Sequence, residues 1–144
     1  MTDQLLIENH VDGILYLTLN NPDKRNSLSS VLLTKLKDCF DDIQDDPAVR
    51  VVVLRSEGPA FSSGHDLNEL INQDVESYST LFSACTSVME AIRLSPKPVI
   101  AEIQGLATAA GCQLVATCDL AIASKSALFA TPGVQIGLFC TTPG

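Results

Sequence analysis

Two glycine-containing segments, GPAFSSGHDL from Gly58 to Leu67 and QGLATAAGCQLVATCDLAIAS from Gln104 to Ser124, decide the fold of this chain. Each segment predicts a strand that runs into a turn of small residues and then opens a helix. The first N–H groups of a helix have no partner within it, so such a turn leaves backbone donors that can point at a ligand oxygen. Two turns of this kind side by side would form an oxyanion hole.

The length and composition are those of one globular domain with a core. The chain has 144 residues, of which 46% are hydrophobic and 18% are charged, and this balance is typical of folded proteins. The net charge of −8, with Lys and Arg scattered along the chain, argues against a nucleic-acid or anionic-membrane partner. The uncharged runs are too short or too interrupted to cross a bilayer, so we expect no membrane insertion.

Cysteine usage and the N-terminal residues indicate the compartment. The five cysteines are odd in number and show no CxxC spacing, which predicts buried free thiols in a reducing compartment and no metal site. The first thirteen residues carry three acidic residues and no basic one, a composition that fits neither a secretory signal nor a transit peptide. On the residues alone we expect a cytoplasmic protein.

Alternating strands and helices predict an α/β fold with parallel strand pairing. Ser29 is the expected N-cap of the first helix, and the residues from 68 to 80 are expected to form a polar loop. The predicted strands are Val11–Leu19, Val49–Ser56, Pro98–Ile103 and Leu120–Ala123, with an extension at 127–131, and the second and third helices are predicted at about Leu81–Arg93 and from near Ala109–Gly111.

Three ordered motifs resemble the crotonase superfamily of enoyl-CoA hydratases and isomerases. They are NPDKRNSLS (Asn21–Ser29), PAFSSGHDLNEL (Pro59–Leu70) and the segment from Gly105 to Asp119. The resemblance implies a crotonase-like spiral of ββα units, with residues 1–144 forming the N-terminal part of a single domain. Family members are homotrimers or hexamers, and we expect this chain to lack the C-terminal helical region that forms the trimer.

The resemblance also implies where a coenzyme A (CoA) thioester would bind. The thioester oxygen would accept hydrogen bonds from the backbone N–H groups of His65 and Ala110. The family uses the amide at the position of His65, and proton transfer by its imidazole is the alternative. The other residues expected to contact CoA are Lys24 and Arg25 at the phosphates, with solvated loop charges as the alternative, and Phe61, Ser63, Gly64, Asp66, Leu67 and Gly111 along the motifs.

Phe61 and Asp66 also suit structural roles, and Leu67 also suits a contact with the acyl chain. Phe61 is typical of a core, and Asp66 is typical of a helix cap. The acyl chain would pass residues such as Leu67, Leu70 and Ile136.

The family's catalytic glutamates fall on residues that carry no carboxylate. By resemblance these positions are Gln113 and Gly133, and the extra aspartate of a dienoyl isomerase would fall near Thr141. A glutamine amide can orient water but cannot accept its proton near pH 7. General acid–base catalysis contributes about 10²–10⁴ in rate per group, so we expect hydration to be weak or absent. Glu69 is the carboxylate that could act instead.

The sequence therefore predicts an acyl-CoA-binding, enoyl-CoA hydratase/isomerase-like protein of fatty acid metabolism. Its lyase or isomerase activity would be weak or replaced by another reaction, such as thioester hydrolysis or decarboxylation, with no cofactor beyond the CoA thioester itself. The alternatives are a non-catalytic CoA-ester-binding or regulatory protein and an inactive truncated product. By resemblance, the mitochondrial matrix is the alternative location.

Overall fold

Two β-sheets form the frame of the fold in the computed structural model, which describes residues 4–137. The eight strands are β1 (Leu6–Val11), β2 (Ile14–Leu19), β3 (Val51–Ser56), β4 (Ala60–Ser62), β5 (Val99–Ile103), β6 (Leu106–Thr108), β7 (Leu120–Ala123) and β8 (Leu128–Ala130). The larger sheet has the order β1-β2-β3-β5-β7, and the smaller has the order β4-β6-β8. All pairs are parallel except β1 with β2.

From β3 onward, each consecutive pair of strands adds one strand to each sheet. The pairs β3–β4, β5–β6 and β7–β8 each place their first strand in the large sheet and their second in the small one. Helices α2 (Val75–Arg93) and α3 (Ala110–Thr117) follow the first two of these pairs, and α1 (Ser30–Asp42) precedes them. This order is a spiral of ββα units with parallel pairing, as the sequence predicts.

The core lies between the large sheet and the helices. Alternate residues of β2 point inward, and Leu15, Leu17 and Leu19 are fully buried, as expected when one face of a strand packs on a core. Helix α1 presents Leu32, Leu36 and Phe40 from its buried side, and α1 packs on α2. The predicted N-cap is confirmed, because the Ser29 hydroxyl accepts a hydrogen bond from the Leu32 amide at 3.3 Å.

The predicted single strand over Val11–Leu19 is wrong, because a hairpin interrupts it. The turn residues Asp12 and Gly13 have φ values of +51° and +85°, and β1 and β2 pair on either side of them from Val11↔Ile14 to Leu6↔Leu19. Asp-Gly is a strong signal for a two-residue hairpin turn, since both central residues take positive φ.

The predicted polar loop over 68–80 is also wrong in its second half. Helix α2 begins at Val75, and its N-cap is Asp74, whose side chain accepts a hydrogen bond from the Ser77 amide at 2.8 Å. The first glycine segment opens a short 3-10 helix, Leu67–Leu70, rather than an α-helix. The polar first turns of α2 are exposed, so they lack the apolar periodicity that identifies a helix in sequence.

The described cysteines are thiols that form no disulfide, as predicted. Cys39 and Cys85 are buried, Cys112 and Cys118 are half-buried, and Cys140 lies outside the described residues. Burial is the main cause that raises the pKa of Cys39 and of Cys118 to about 12, so both thiols are inert near neutral pH. Within residues 4–137, no helix is long and apolar enough to cross a membrane.

The buried face of β2 predicts that two leucine substitutions in the same sheet will lower the free energy of unfolding by very different amounts. Leu17→Ala should lower the free energy of unfolding by about 2–5 kcal/mol, because it leaves a cavity in the core. Leu120→Ala on the edge strand, where Leu120 is 61% exposed, should change it by less than about 0.5 kcal/mol. Urea denaturation of both variants measures this difference, and equal losses would contradict the assigned inner face.

Candidate functional site

The turn after β4 and the turn after β6 are in direct contact. A Cβ atom built on Gly64 would lie 2.9 Å from the Ala109 Cβ and 3.2 Å from the Ala110 nitrogen. Gly64 also has a φ of +91°, which other residues rarely adopt. Glycine therefore satisfies two demands at this position, the backbone conformation and the lack of space.

The start of α3 approaches β4 equally closely. A Cβ atom on Gly111 would lie 2.5 Å from the Ser62 carbonyl oxygen, too near for a real side chain. The Thr108 hydroxyl donates a hydrogen bond to the Ser63 carbonyl at 3.1 Å, and β4 pairs with β6 just before the turns. The two glycine segments of the sequence thus form one continuous backbone surface.

Two amides at this contact, those of Asp66 and Ala109, are engaged in backbone hydrogen bonds. The Asp66 amide donates to the Leu28 carbonyl at 3.4 Å, and the Ala109 amide donates to the Ala130 carbonyl at 2.9 Å. Among the backbone hydrogen bonds that join loops, turns and helix ends in the described part of the chain, none is donated by His65 or Ala110. Ala110 is the first residue of α3, so its N–H is a helix-end donor without an intrahelical partner.

Ala109 holds the second turn in a strained conformation. Its φ of +50° and ψ of −126° are unusual for an L-residue, and such conformations typically cost about 1–3 kcal/mol. No side chain caps α3 at this residue. Strain that the surrounding structure maintains is common where a backbone must be aimed at a ligand, and here it turns the chain from β6 into the first amides of α3.

The His65 side chain packs against helix α2. Its ring meets Phe82 edge-on, with ring centroids 5.2 Å apart. The His65 Nδ1 atom is buried and has no hydrogen-bonding partner within residues 4–137. Burial lowers the pKa of the imidazole below its ordinary value of 6.5, while the Glu69 carboxylate and the Leu28 backbone act in the opposite direction. The imidazole is therefore mainly neutral at pH 7.

Glu69 is anchored to the start of α1. Its Oε2 atom accepts hydrogen bonds from the Ser30 amide at 2.9 Å and from the Ser30 hydroxyl at 2.5 Å. A carboxylate at a helix N-terminus is stabilised by the free amides and by the helix dipole. This contact ties the 3-10 helix Leu67–Leu70 to α1, and catalysis by Glu69 would require its carboxylate to leave that position.

A cavity of about 240 Å³ lies beside the first turn. The residues that line it include five of the predicted site residues, Lys24, Ser63, His65, Asp66 and Leu67. The Lys24 ammonium lies 3.5 Å from the Asp66 carboxylate, and its side chain is 60% exposed. The structure therefore brings Lys24, Asp66 and His65 to one opening.

Asp66 caps the 3-10 helix, as predicted. Its carboxylate accepts hydrogen bonds from the Asn68 amide at 3.0 Å and from the Asn68 side chain at 2.9 Å. Burial raises the pKa of Asp66, but these hydrogen bonds and the Lys24 charge outweigh burial, so the pKa lies below its ordinary value. Asp66 is therefore a carboxylate at neutral pH.

Phe61 and Arg25, two of the predicted CoA contacts, differ in their exposure. Phe61 is fully buried in the hydrophobic core, so its prediction as a CoA contact is wrong, and its alternative reading as core is confirmed. Arg25 is exposed and has a φ of +51°, and its carbonyl accepts a hydrogen bond from the Ser63 amide at 3.0 Å. Its backbone thus supports the site from a left-handed turn.

The positions expected to carry the family's glutamates lie at the start of α3 and beyond β8. The Gln113 amide donates to the Ala109 carbonyl at 3.1 Å, which places Gln113 in the first turn of α3. Gly133 is buried within a 3-10 helix, Pro132–Ile136. The side chain of Ile136 and the whole of Thr141, which the sequence associates with the acyl chain and a further acid, lie outside the described part of the structure.

Asn26 organises the site and was missed from the sequence. Its side-chain oxygen accepts from the Asn21 amide at 2.8 Å, and its side-chain nitrogen donates to the carbonyls of Glu57 and Ala60, both at 2.8 Å. It is fully buried and has a φ of +50°. Asparagine tolerates this conformation better than most residues. An asparagine in a polar loop is therefore the sequence feature that could have identified this position.

The buried imidazole predicts a pH dependence of stability. The unfolded chain protonates His65 near 6.5, whereas the folded chain does so at lower pH, so the unfolded state binds more protons on acidification. Stability should therefore fall as the pH drops below about 6.5, and the fall should end below the folded-state pKa. His65→Gln should flatten this part of the curve in urea denaturation measured from pH 7.5 to 5. His10→Gln on exposed β1 is the control, and an unchanged slope in His65→Gln would contradict the prediction.

Comparisons with known proteins agree with this geometry. The enoyl-CoA hydratase/isomerase family model matches residues 9–143. The human enoyl-CoA hydratase domain-containing protein 3, mitochondrial, is 50% identical over 135 residues, which are 93% of this chain and 45% of that protein. The chain is also 32% identical to the 2,3-dehydroadipyl-CoA hydratase of Escherichia coli over 92% of its own length and 51% of that protein.

The solved structures show the same fold. A crystal structure of an enoyl-CoA hydratase from Mycobacterium smegmatis superposes with a TM-score of 0.93 at 49% identity, covering 96% of this chain and 55% of that one. The chain spans about half the length of the relatives it matches. With its spiral of ββα units and its family match across nearly the whole sequence, the chain belongs to the enoyl-CoA hydratase/isomerase (crotonase) family.

Proposed function

We propose that this chain binds acyl-CoA thioesters and that the amides of His65 and Ala110 hold the thioester oxygen. The observation that carries this proposal is the contact between the two turns, where neither amide donates a backbone hydrogen bond to a loop, turn or helix end within residues 4–137, while the amides of Asp66 and Ala109 do. Membership of the family supports a CoA thioester as ligand, as does the similarity to a bacterial hydratase whose name specifies a CoA ester.

The two amides would stabilise negative charge on the thioester oxygen and would not transfer protons. When a reaction moves an electron pair toward the thioester oxygen, that oxygen becomes negative, and fixed N–H donors stabilise it without reorganising. The positive end of α3 adds to this effect at Ala110. Loss of one such donor typically costs about 10²–10³ in rate. The strained Ala109 and the close-packed Gly64 and Gly111 keep the donors in place.

The CoA end of the ligand would lie at the cavity beside the first turn. Its phosphates are anions, and Lys24 and Arg25 are the exposed cations of the neighbouring loop. A phosphate there would compete with Asp66 for the Lys24 ammonium, since the two side chains lie 3.5 Å apart. Ser63, Asp66 and Leu67 line the same opening.

Water addition to an enoyl thioester would be weak or absent in this protein. Gln113 and Gly133 stand at the positions where the resemblance expects the two glutamates, and neither residue can exchange a proton near pH 7. With Glu69 held at the start of α1, general acid–base catalysis of hydration would lack its usual groups. The proposed role therefore lies in thioester binding and enolate stabilisation within fatty acid metabolism.

The relatives also bear on the compartment. The human protein that is 50% identical to this chain carries the word mitochondrial in its name. This similarity supports the mitochondrial matrix rather than the cytoplasm as the place where this chain acts.

A pair of CoA compounds tests the role of the two amides in binding. Butyryl-CoA has the thioester oxygen, and S-butyl-CoA, the thioether, lacks it. Two hydrogen bonds of about 0.5–1.5 kcal/mol each predict that calorimetry will find butyryl-CoA bound roughly 5- to 150-fold more tightly than S-butyl-CoA. Gly64→Ala should reduce this ratio, because its Cβ would press on Ala110, while the exposed Ala116→Ser should not. Equal affinity for both compounds in the unmodified chain would refute the proposed use of the amides.

Crotonyl-CoA tests the predicted weakness of hydration. The absorbance of its conjugated double bond should decay no faster with the protein than without it, because the expected proton-transfer groups are missing. The double variant Gln113→Glu with Gly133→Glu should raise the rate above this background. Gly133→Gln alone is the matched control, since it adds a side chain of similar volume without a carboxylate. Rapid hydration by the unmodified chain would overturn this part of the proposal.

A further inference from the structure

The buried imidazole nitrogen of His65 has no task in the proposed binding of the thioester. Nδ1 is buried without a hydrogen-bonding partner among residues 4–137, and an unpaired buried polar atom destabilises a fold. Buried unsatisfied groups are rare in native proteins and often indicate catalysis or a missing partner. The His65 ring is therefore a candidate for chemistry of its own.

The position of the ring places it at the proposed site. The ring belongs to the same residue whose amide is one of the two proposed oxygen donors, so a base and a donor share one backbone position. The ring is steadied by its edge-on contact with Phe82 at 5.2 Å. His65 also lines the cavity with Ser63 and Leu67. A thioester whose oxygen meets the His65 amide would present its neighbouring carbon close to this side chain.

The charged groups around the ring leave it able to accept a proton. Burial lowers the pKa of the ring, and it outweighs the Glu69 carboxylate on the adjacent 3-10 helix and the Leu28 backbone, which both favour the protonated ring. Lys24 and Asp66 border the same cavity and pair with each other. From α2 the ring meets the uncharged Phe82. At pH 7 the imidazole is thus mainly neutral and has a free nitrogen lone pair.

Other candidate bases are worse placed within the described part of the chain. Glu69 accepts two hydrogen bonds from Ser30, and Asp66 accepts two from Asn68. Gln113 and Gly133 have no basic atom. Among residues 4–137, His65 is therefore the titratable side chain at the paired turns that has a ring nitrogen, Nδ1, engaged by no hydrogen bond.

We propose that the His65 imidazole removes a proton from the carbon next to the thioester carbonyl of a bound acyl-CoA, an inference that rests on the proposed function. The C–H bond breaks, its electron pair forms the enolate double bond, and the carbonyl electrons move onto the oxygen held by the two amides. The proton goes to the imidazole and returns to the carbon in the reverse step. The substrate class is saturated acyl-CoA thioesters with a hydrogen on that carbon.

Deuterium exchange tests the proposal, because in D₂O the ring returns a deuteron to the carbon. Butyryl-CoA incubated with the protein in D₂O should gain mass at the α-carbon faster than butyryl-CoA alone, as measured by mass spectrometry. His65→Gln should slow this exchange by about 10²–10⁴. The affinity for butyryl-CoA should stay within a few-fold, since the residue-65 amide is retained. His10→Gln should exchange like the unmodified chain.

Two further measurements separate proton transfer from a merely structural role. The exchange rate should rise with pH through a value below 6.5 and then level off, as the neutral ring is the active form. In His65→Ala, added imidazole should restore part of the exchange without changing the affinity. Circular dichroism confirms the fold of each variant.

The outcomes distinguish the inference from the function on which it rests. If butyryl-CoA binds more tightly than S-butyl-CoA but exchanges no faster with the protein than without it, the base assignment fails and the proposed binding stands. Exchange in His65→Gln that equals the unmodified rate also overturns the assignment. If neither CoA compound binds, the proposed function fails, and the inference fails with it.

Discussion

The candidate site depends on the close contact between two turns, each of which has a glycine at the point of approach. Gly64 faces Ala109 and Ala110, and Gly111 faces Ser62, at distances where a Cβ atom would collide. Close contact excludes water and gives the amides at the turns a fixed orientation. The smaller sheet serves this contact, because β4 and β6 pair immediately before the turns and bring them together. The site is therefore a property of the backbone, and its side chains support it.

Three long-range hydrogen-bonding groups maintain this arrangement. Asn26 ties the loop after β2 to the residues before β4, Glu69 ties the short 3-10 helix to α1, and Thr108 ties β6 to Ser63. Each uses a polar side chain to satisfy backbone groups that the sheets and helices leave unpaired. The strain at Ala109 is sustained by these surroundings and by the Ala130 carbonyl that fixes its amide.

Much of the fold could be predicted from local signals, and the failures have local explanations too. The strands of the large sheet after β1 and the Ser29 cap follow from apolar runs and capping chemistry. The hairpin at Asp12–Gly13 was overlooked because β1 is mostly polar and exposed, so it lacks the alternation of a buried strand. The start of α2 was missed for the same reason, since its first turns face solvent. In the sequence, Phe61 fits both a CoA contact and the core, because sequence alone cannot tell which side of a short strand faces the core.

Local requirements explain what the sequence determined by itself. A glycine at a left-handed turn, a serine at a helix start and a carboxylate beside the next amides need only their immediate neighbours, so Gly64, Ser29 and Asp66 were predictable in position and role. Only the tertiary structure decided the partners of residues that act over long separations. Glu69 meets Ser30, Asn26 meets Glu57 and Ala60, and the His65 ring meets Phe82. These contacts arise when the strands pair and the helices pack, because folding brings together segments that are distant in the chain.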